Sequence, residues 1–196
     1  MTSRPQSWSV PISRPSTEGH SLHLTRRIGW TLSPGSLPRL QQLFAQAGYL
    51  PLDWEPSGAA VLRTPRAELR AAVDPPKGRF SWRYPNTPGE LRALWSAGRP
   101  SEITRGAVMM FEDSHGLAVD GLAGADVWHA LLADAIAGRR RISGYSYVYV
   151  HSNVPQSLTL WHDGHTLLSS PGNTGVPAAP TQLGTFPVFD TSRSAR

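Results

Sequence analysis

The sequence predicts an α+β protein in which a small helical part gives way to an incomplete, mostly-β part. Between residues 37 and 137 apolar residues recur at helical spacing, and from Tyr145 onward the period drops to two. Gly138 followed by Arg139-Arg140-Arg141 separates the two patterns and puts the boundary near 138–144.

Residues 1–34 are expected to form a disordered leader, because the stretch up to His23 is rich in Ser, Pro and Arg and has no periodicity. It also lacks the apolar run of a secretory signal peptide. From Leu37 the positions Leu37, Leu40, Leu43 and Phe44 predict a helix, with Ser36 and Pro38 at its start and Gly48 at its end. Gln41, Gln42 and Gln46 fall on the opposite face, and Tyr49, Leu50 and Leu52 follow as a short apolar landing. Val61 and Leu62 suggest a short strand, and Pro65 to Val73 a short helix broken by Asp74-Pro75-Pro76-Lys77-Gly78. Phe80, Trp82 and Tyr84 alternate as in a half-buried strand, and Pro88 to Ala97 reads as another short helix.

A helix capped by Ser101 or Thr104 carries Ile103, Ala107, Val108, Met110 and Phe111 and closes at His115-Gly116. After a turn at Asp120-Gly121, Asp126 to Ile136 forms a second amphipathic helix ended by Gly138. In the β part Tyr145, Tyr147 and Tyr149 alternate with smaller residues. Leu158 to Trp161 and Thr166 to Leu168 flank Asp163-Gly164, a strong hairpin signal. Asn173-Thr174-Gly175 marks a turn, Thr185 to Phe189 a last strand, and 190–196 an unstructured tail.

Composition narrows the chemistry. With 39% hydrophobic and 17% charged residues the chain of 196 residues is globular. A net charge of +5 favours an anionic neighbour, be it nucleic acid, lipid or wall polymer. Lys77 is the only lysine, so the charge is carried by arginine. The absence of cysteine excludes disulfides, Cys-ligated zinc and a thiolate nucleophile. No stretch approaches the roughly 20 apolar residues of a membrane span.

The run from Thr104 to Leu131, with Gly106-Ala107-Val108, Phe111, Gly116-Leu117, Asp120-Gly121, Gly124 and Trp128, resembles the bacterial peptidoglycan-binding domain of the small three-helix type. Leu40-Gln41-Gln42-Leu43 with Gly48-Tyr49-Leu50 looks like the first helix of that domain. The resemblance thus implies a module over 35–138 with an insertion at about 51–100. Phe111, Trp128 and Leu131 would meet in its core.

Residues 145–189 resemble the opening of an L,D-transpeptidase domain, through Ser157-Leu158-Thr159-Leu160-Trp161, Asp163-Gly164, Asn173-Thr174-Gly175 and Pro180-Thr181-Gln182-Leu183-Gly184-Thr185-Phe186. That family's chemistry uses a histidine-glycine segment and a serine-histidine-glycine-cysteine motif, both downstream of the strand that corresponds to 185–189, where this sequence has only Asp190 to Arg196 and no cysteine. The resemblance therefore implies a cell-wall or extracytoplasmic protein, truncated before its catalytic motifs, that binds peptidoglycan without forming L,D cross-links. The readings held against it are a non-functional truncated gene product and a basic nucleic-acid binder. The latter lacks a basic recognition helix, so no nucleic acid is expected as partner. The sequence leaves the oligomeric state open.

No catalytic, cofactor-binding or metal-binding residue is assigned. Trp82, Tyr84 and Trp95 are candidates to stack on sugar rings, with burial in a small core as the competing explanation. Arg105, and with it Arg83, is a candidate contact for wall-peptide carboxylates, against simple surface solubility. His162 and His165, and likewise His20 and His23, lack a ligand set and read as polar surface. His115 reads as a helix C-terminal residue. Ser114 beside it suggests a nucleophile and base, but adjacent side chains rarely reach each other productively and no glycine-flanked elbow is present. Asp113, Asp120 and Asp126 are too spread for a glycosidase pair.

Overall fold

A computed structural model describes residues 35–176 and 178–188. The leader over 1–34 with His20 and His23, Phe189, and the tail over 190–196 lie outside the described residues. Helix and sheet are mixed, as an α+β chain requires. In order the elements are α1 (Leu37–Gln46), β1 (Leu52–Pro56), α2 (Pro65–Val73), β2 (Gly78–Trp82), α3 (Gly89–Ala93), α4 (Glu102–Ser114), α5 (Ala125–Ala137), β3 (Ser146–His151), β4 (Ser157–His162), β5 (His165–Pro171), β6 (Gly175–Val176) and β7 (Ala179–Pro180).

The helices end where local chemistry says they should. Thr64 caps α2 by accepting from the Ala67 N–H, and Ser101 caps α4 by accepting from the Thr104 N–H. Helix α5 closes on Gly138 in the left-handed conformation. The turn between α4 and α5 is held from below: Glu112, 1% exposed, accepts from the N–H groups of Asp120 (3.1 Å) and Gly121 (2.9 Å). Burial raises the Glu112 carboxyl above its usual range, and neighbouring Asp120 adds to that against the two N–H donors.

Two expectations fail locally. Val61 and Leu62 form no strand, since nothing pairs with them and Leu62 is 71% exposed. The strand is β1, antiparallel to β2, with Trp54 opposite Phe80. Residues 185–188 likewise run as irregular backbone rather than strand.

The core gathers Leu40, Leu43 and Phe44 of α1, Phe111 of α4, and Trp128 and Leu131 of α5. Phe44, Tyr49 and Phe111 meet edge to face with ring centroids 5.3–5.8 Å apart. Leu52, Ala72 and Leu91 belong to the same core, so residues 51–100 are built into it rather than hung from it. This corrects the reading of α1. Gln41 and Gln42 do not face solvent; only Gln46 does. Helix α2 and the segment after α3 cover that face. Gln42 donates to the Pro76 carbonyl, and Arg39, 1% exposed, pairs with Glu68 of α2 at 2.6 Å.

Gln41 is the most fully used of these residues. Its amide donates to the Arg99 carbonyl (2.9 Å) and Thr104 Oγ1 (3.1 Å), and its Oε1 accepts from the Gly98 N–H (2.7 Å). Gln41→Leu keeps the volume but leaves buried donors and acceptors unpaired, so the urea midpoint should fall by the equivalent of about 1–3 kcal/mol. An unchanged midpoint would show that the network contributes nothing.

Strands β3, β4 and β5 form an antiparallel sheet, and Asp163-Gly164 closes the β4–β5 hairpin with both residues at positive φ, 46° and 88°. All described residues fall in one compact unit, and Trp161 of β4 sits in the same core as the helices. Tyr84 reaches the hairpin tip, donating to Asp163 Oδ1 and meeting the Trp161 ring edge-on at 5.3 Å, while Asn86 donates to the Gly164 carbonyl. Asp163 Oδ1 also accepts from the Tyr145 N–H. Burial alone would raise this carboxyl; the two donors, with His162 and Arg83 nearby, outweigh it and hold it below its usual range. Gly144, at φ 71°, has no room for a side chain, because a Cβ there would overlap the Asp163 carboxylate.

Candidate functional site

Trp82, Tyr84 and Trp95 each make contacts within the fold, and Arg105 lies on a separate element, α4. Trp82, half-buried at the end of β2, carries the Arg92 guanidinium 5.5 Å from its ring centre. Trp95 meets Phe80 edge-on at 5.1 Å, and Phe80 in turn packs on Trp54 at 4.8 Å. Tyr84 spends its hydroxyl on Asp163. Each of these rings therefore has a neighbour within the fold. Arg105 is exposed on α4 with its stem beside Gly121. Arg83 bonds Asp53 at 3.0 Å and the Leu52 carbonyl at 2.9 Å, tying the end of β2 to β1. His162 contacts Ser146 Oγ across the sheet. Among the described residues no group of three His, Cys, Asp or Glu side chains is placed to hold a metal ion.

A different cluster is assembled where α4 and α5 end. The last turn of α4 carries Ser114, and His115 follows with a non-helical backbone, φ −109° and ψ 4°. That change swings the imidazole back so that Nδ1 lies 3.1 Å from Ser114 Oγ and 2.9 Å from the Phe111 carbonyl. Adjacent residues thus do reach each other here, against the expectation from sequence. The ring stacks on Phe111 at 3.9 Å, and Nε2 meets Asp134 Oδ2 at 2.9 Å. Asp134, with a side chain 7% exposed, also accepts from Arg139 at 2.9 Å. Tyr49 completes the line, its hydroxyl 2.8 Å from Ser114 Oγ. Burial pushes the Tyr49 phenol up, the Ser114 contact lowers it, and Asp134 raises it further, so the hydroxyl keeps its proton at neutral pH.

Ser114, His115 and Asp134 follow one another in the order of a nucleophile, a base and an orienting acid, yet the hydrogen bonds argue against proton abstraction. A carbonyl oxygen only accepts, and Nδ1 is closer to Phe111 O than to Ser114 Oγ. Ser114 itself donates to that carbonyl at 2.9 Å, as helical serines commonly do. Both ring nitrogens thus face acceptors. The arrangement is suited to binding rather than to attack.

These side chains line a cavity of about 320 Å³ with Ala47, Arg139, Arg140, Arg141 and Ser143. Arg139 and Arg140 also line an adjoining cavity of about 360 Å³ beside Arg39, Arg63 and Glu68. Arg139 and Arg140, which in the sequence mark the change from helical to strand periodicity, thus form a wall shared by two hollows. Asp134 was missed from sequence, although an acidic residue three positions after Leu131 on the apolar stripe of α5 was the available sign. No family model, curated protein or solved structure matches this chain.

Proposed function

We propose that this chain is a bacterial cell-wall protein whose helical part, about residues 35–138, binds peptidoglycan. The observation that carries the reading is the unit α4–turn–α5. Two amphipathic helices of equal length bury Phe111, Trp128 and Leu131 in one core, and the Asp120-Gly121 turn between them is clamped by Glu112. This is the arrangement the resemblance to small wall-binding helical modules leads one to expect. The three-stranded sheet with its Asp-Gly hairpin supports, in the same way, a likeness of residues 145–189 to the opening strands of an L,D-transpeptidase. With no cysteine in the sequence, no thioester can form on these residues, and attachment is the activity proposed for them. Among the described residues no helix is long and apolar enough to cross a membrane.

Cosedimentation with purified sacculi tests the reading. The chain should be retained above a control protein matched in size and net charge, and the excess should survive at ionic strengths where simple charge attraction is screened. Equal retention of protein and control would remove the claim.

A further inference from the structure

We propose that the larger cavity, walled by Arg63 and Arg140 where the start of α2 meets the end of α5, binds the phosphate group of a small phosphomonoester. Its charge balance leaves two guanidiniums over. Glu68 pairs with Arg39 at 2.6 Å, Asp134 with Arg139 at 2.9 Å and Asp53 with Arg83 at 3.0 Å, so each carboxylate in or beside the cavity already faces an arginine. Arg63 and Arg140 remain. Arg63 lies against the Gly138 backbone, where a Cβ would collide with its Nη1, and among the described residues it makes no ion pair or side-chain hydrogen bond. Arg140 follows just after Gly138, has only a 3.9 Å approach to Asp53, and keeps its side chain 55% exposed. The inner wall holds a further unspent donor: Arg39 is 1% exposed, and its Nε has no partner among the described residues.

Two unspent guanidiniums match the charge of a dianion, and each presents a fork of N–H donors suited to phosphate oxygens. A carboxylate or a phosphodiester would neutralise only one of them. At about 360 Å³ the cavity has room for more than phosphate, and Trp54, Val61 and Leu131 give the organic part of the ester an apolar wall. The site goes beyond the wall-binding reading and does not depend on it.

Chemical-shift titration of the amides and arginine side chains of the full chain, at physiological salt, compares phenyl phosphate, inorganic phosphate and dimethyl phosphate, a monoanionic diester. The first two should shift resonances around 60–63 and 138–140 with a Kd of about 1 mM or below, and the diester should bind at least about tenfold more weakly. Arg63→Gln and Arg140→Gln, both at the surface, should each weaken phenyl phosphate about tenfold. Arg66→Gln, exposed on α2 and outside the cavity, should change it by less than about twofold, because a screened surface charge contributes little. Dimethyl phosphate binding as tightly as phenyl phosphate, equal losses in Arg66→Gln and Arg140→Gln, or wild-type affinity in Arg63→Gln would each overturn the proposal. Sacculus retention with no phosphate response would sink this site and leave wall binding standing.

Discussion

Trp128→Ala should cost about 3–5 kcal/mol of folding stability, one of the two largest losses expected of a single substitution in this chain. Trp128 is 1% exposed and is among the largest side chains wholly enclosed by the fold. It stands on α5 within the core that also holds Leu40 and Leu43 of α1 and Phe111 of α4, and the Gly35 backbone lies against its ring. Removing an indole there forfeits its transfer free energy and leaves a hole that three helices must move together to fill. Against a typical total of about 5–15 kcal/mol, such a loss removes roughly a fifth of the stability at least and nearly all of it at the lower end. Urea titration followed by circular dichroism measures it, with Trp128→Phe as the milder comparison. A loss below about 1 kcal/mol for the alanine variant would mean that the helices are not organised around this side chain. The consequence reaches the cavity, because α5 also carries Asp134, whose contact with His115 ties that helix to the end of α4.

The elements that follow a strict period were legible in the sequence. Helices α4 and α5 lie close to where their apolar stripes and their Ser101 and Gly138 ends put them, and the Asp163-Gly164 hairpin forms as its dipeptide requires. What escaped is one kind of residue: the polar side chain on a face that becomes buried. Arg39, Gln41 and Gln42 on α1, Glu68 on α2, Glu112 on α4 and Asp134 on α5 are all enclosed. Periodicity assigns polar residues to solvent, so it misses a face covered by a second, more distant segment. The covering of α1 by α2 and by the 96–104 segment is a long-range pairing with no local trace. The failed strand at Val61-Leu62 has the same origin, since a short apolar pair becomes a strand only if a partner lies alongside, and Leu52–Pro56 took the partner instead. The Ser114–His115 contact was invisible for a different reason. It depends on one backbone angle at a helix end, where sequence patterns carry little information.

Glu68→Ala should be as damaging as the loss of Trp128, at about 3–5 kcal/mol, though only a carboxylate is removed. Its partner Arg39 has a side chain 1% exposed, and among the described residues the 2.6 Å bond to Glu68 Oε2 is the sole contact that neutralises its charge; the other, at 3.2 Å, is with the uncharged Gln42. Arg39 Nε already lacks a hydrogen-bond partner among the described residues. With Glu68 gone, a guanidinium is left in a poorly solvated site with a neutral amide as its remaining contact, and the desolvation cost stands uncompensated. The double variant Arg39→Met with Glu68→Leu separates this penalty from the worth of the pair. It removes both charges and keeps the volume, so it should return to within about 1 kcal/mol of wild type or exceed it. If the double variant is as unstable as Glu68→Ala alone, the pair itself holds α1 to α2; if Glu68→Ala is silent, Arg39 finds water or another anion, and the enclosed polar face of α1 is open to solvent.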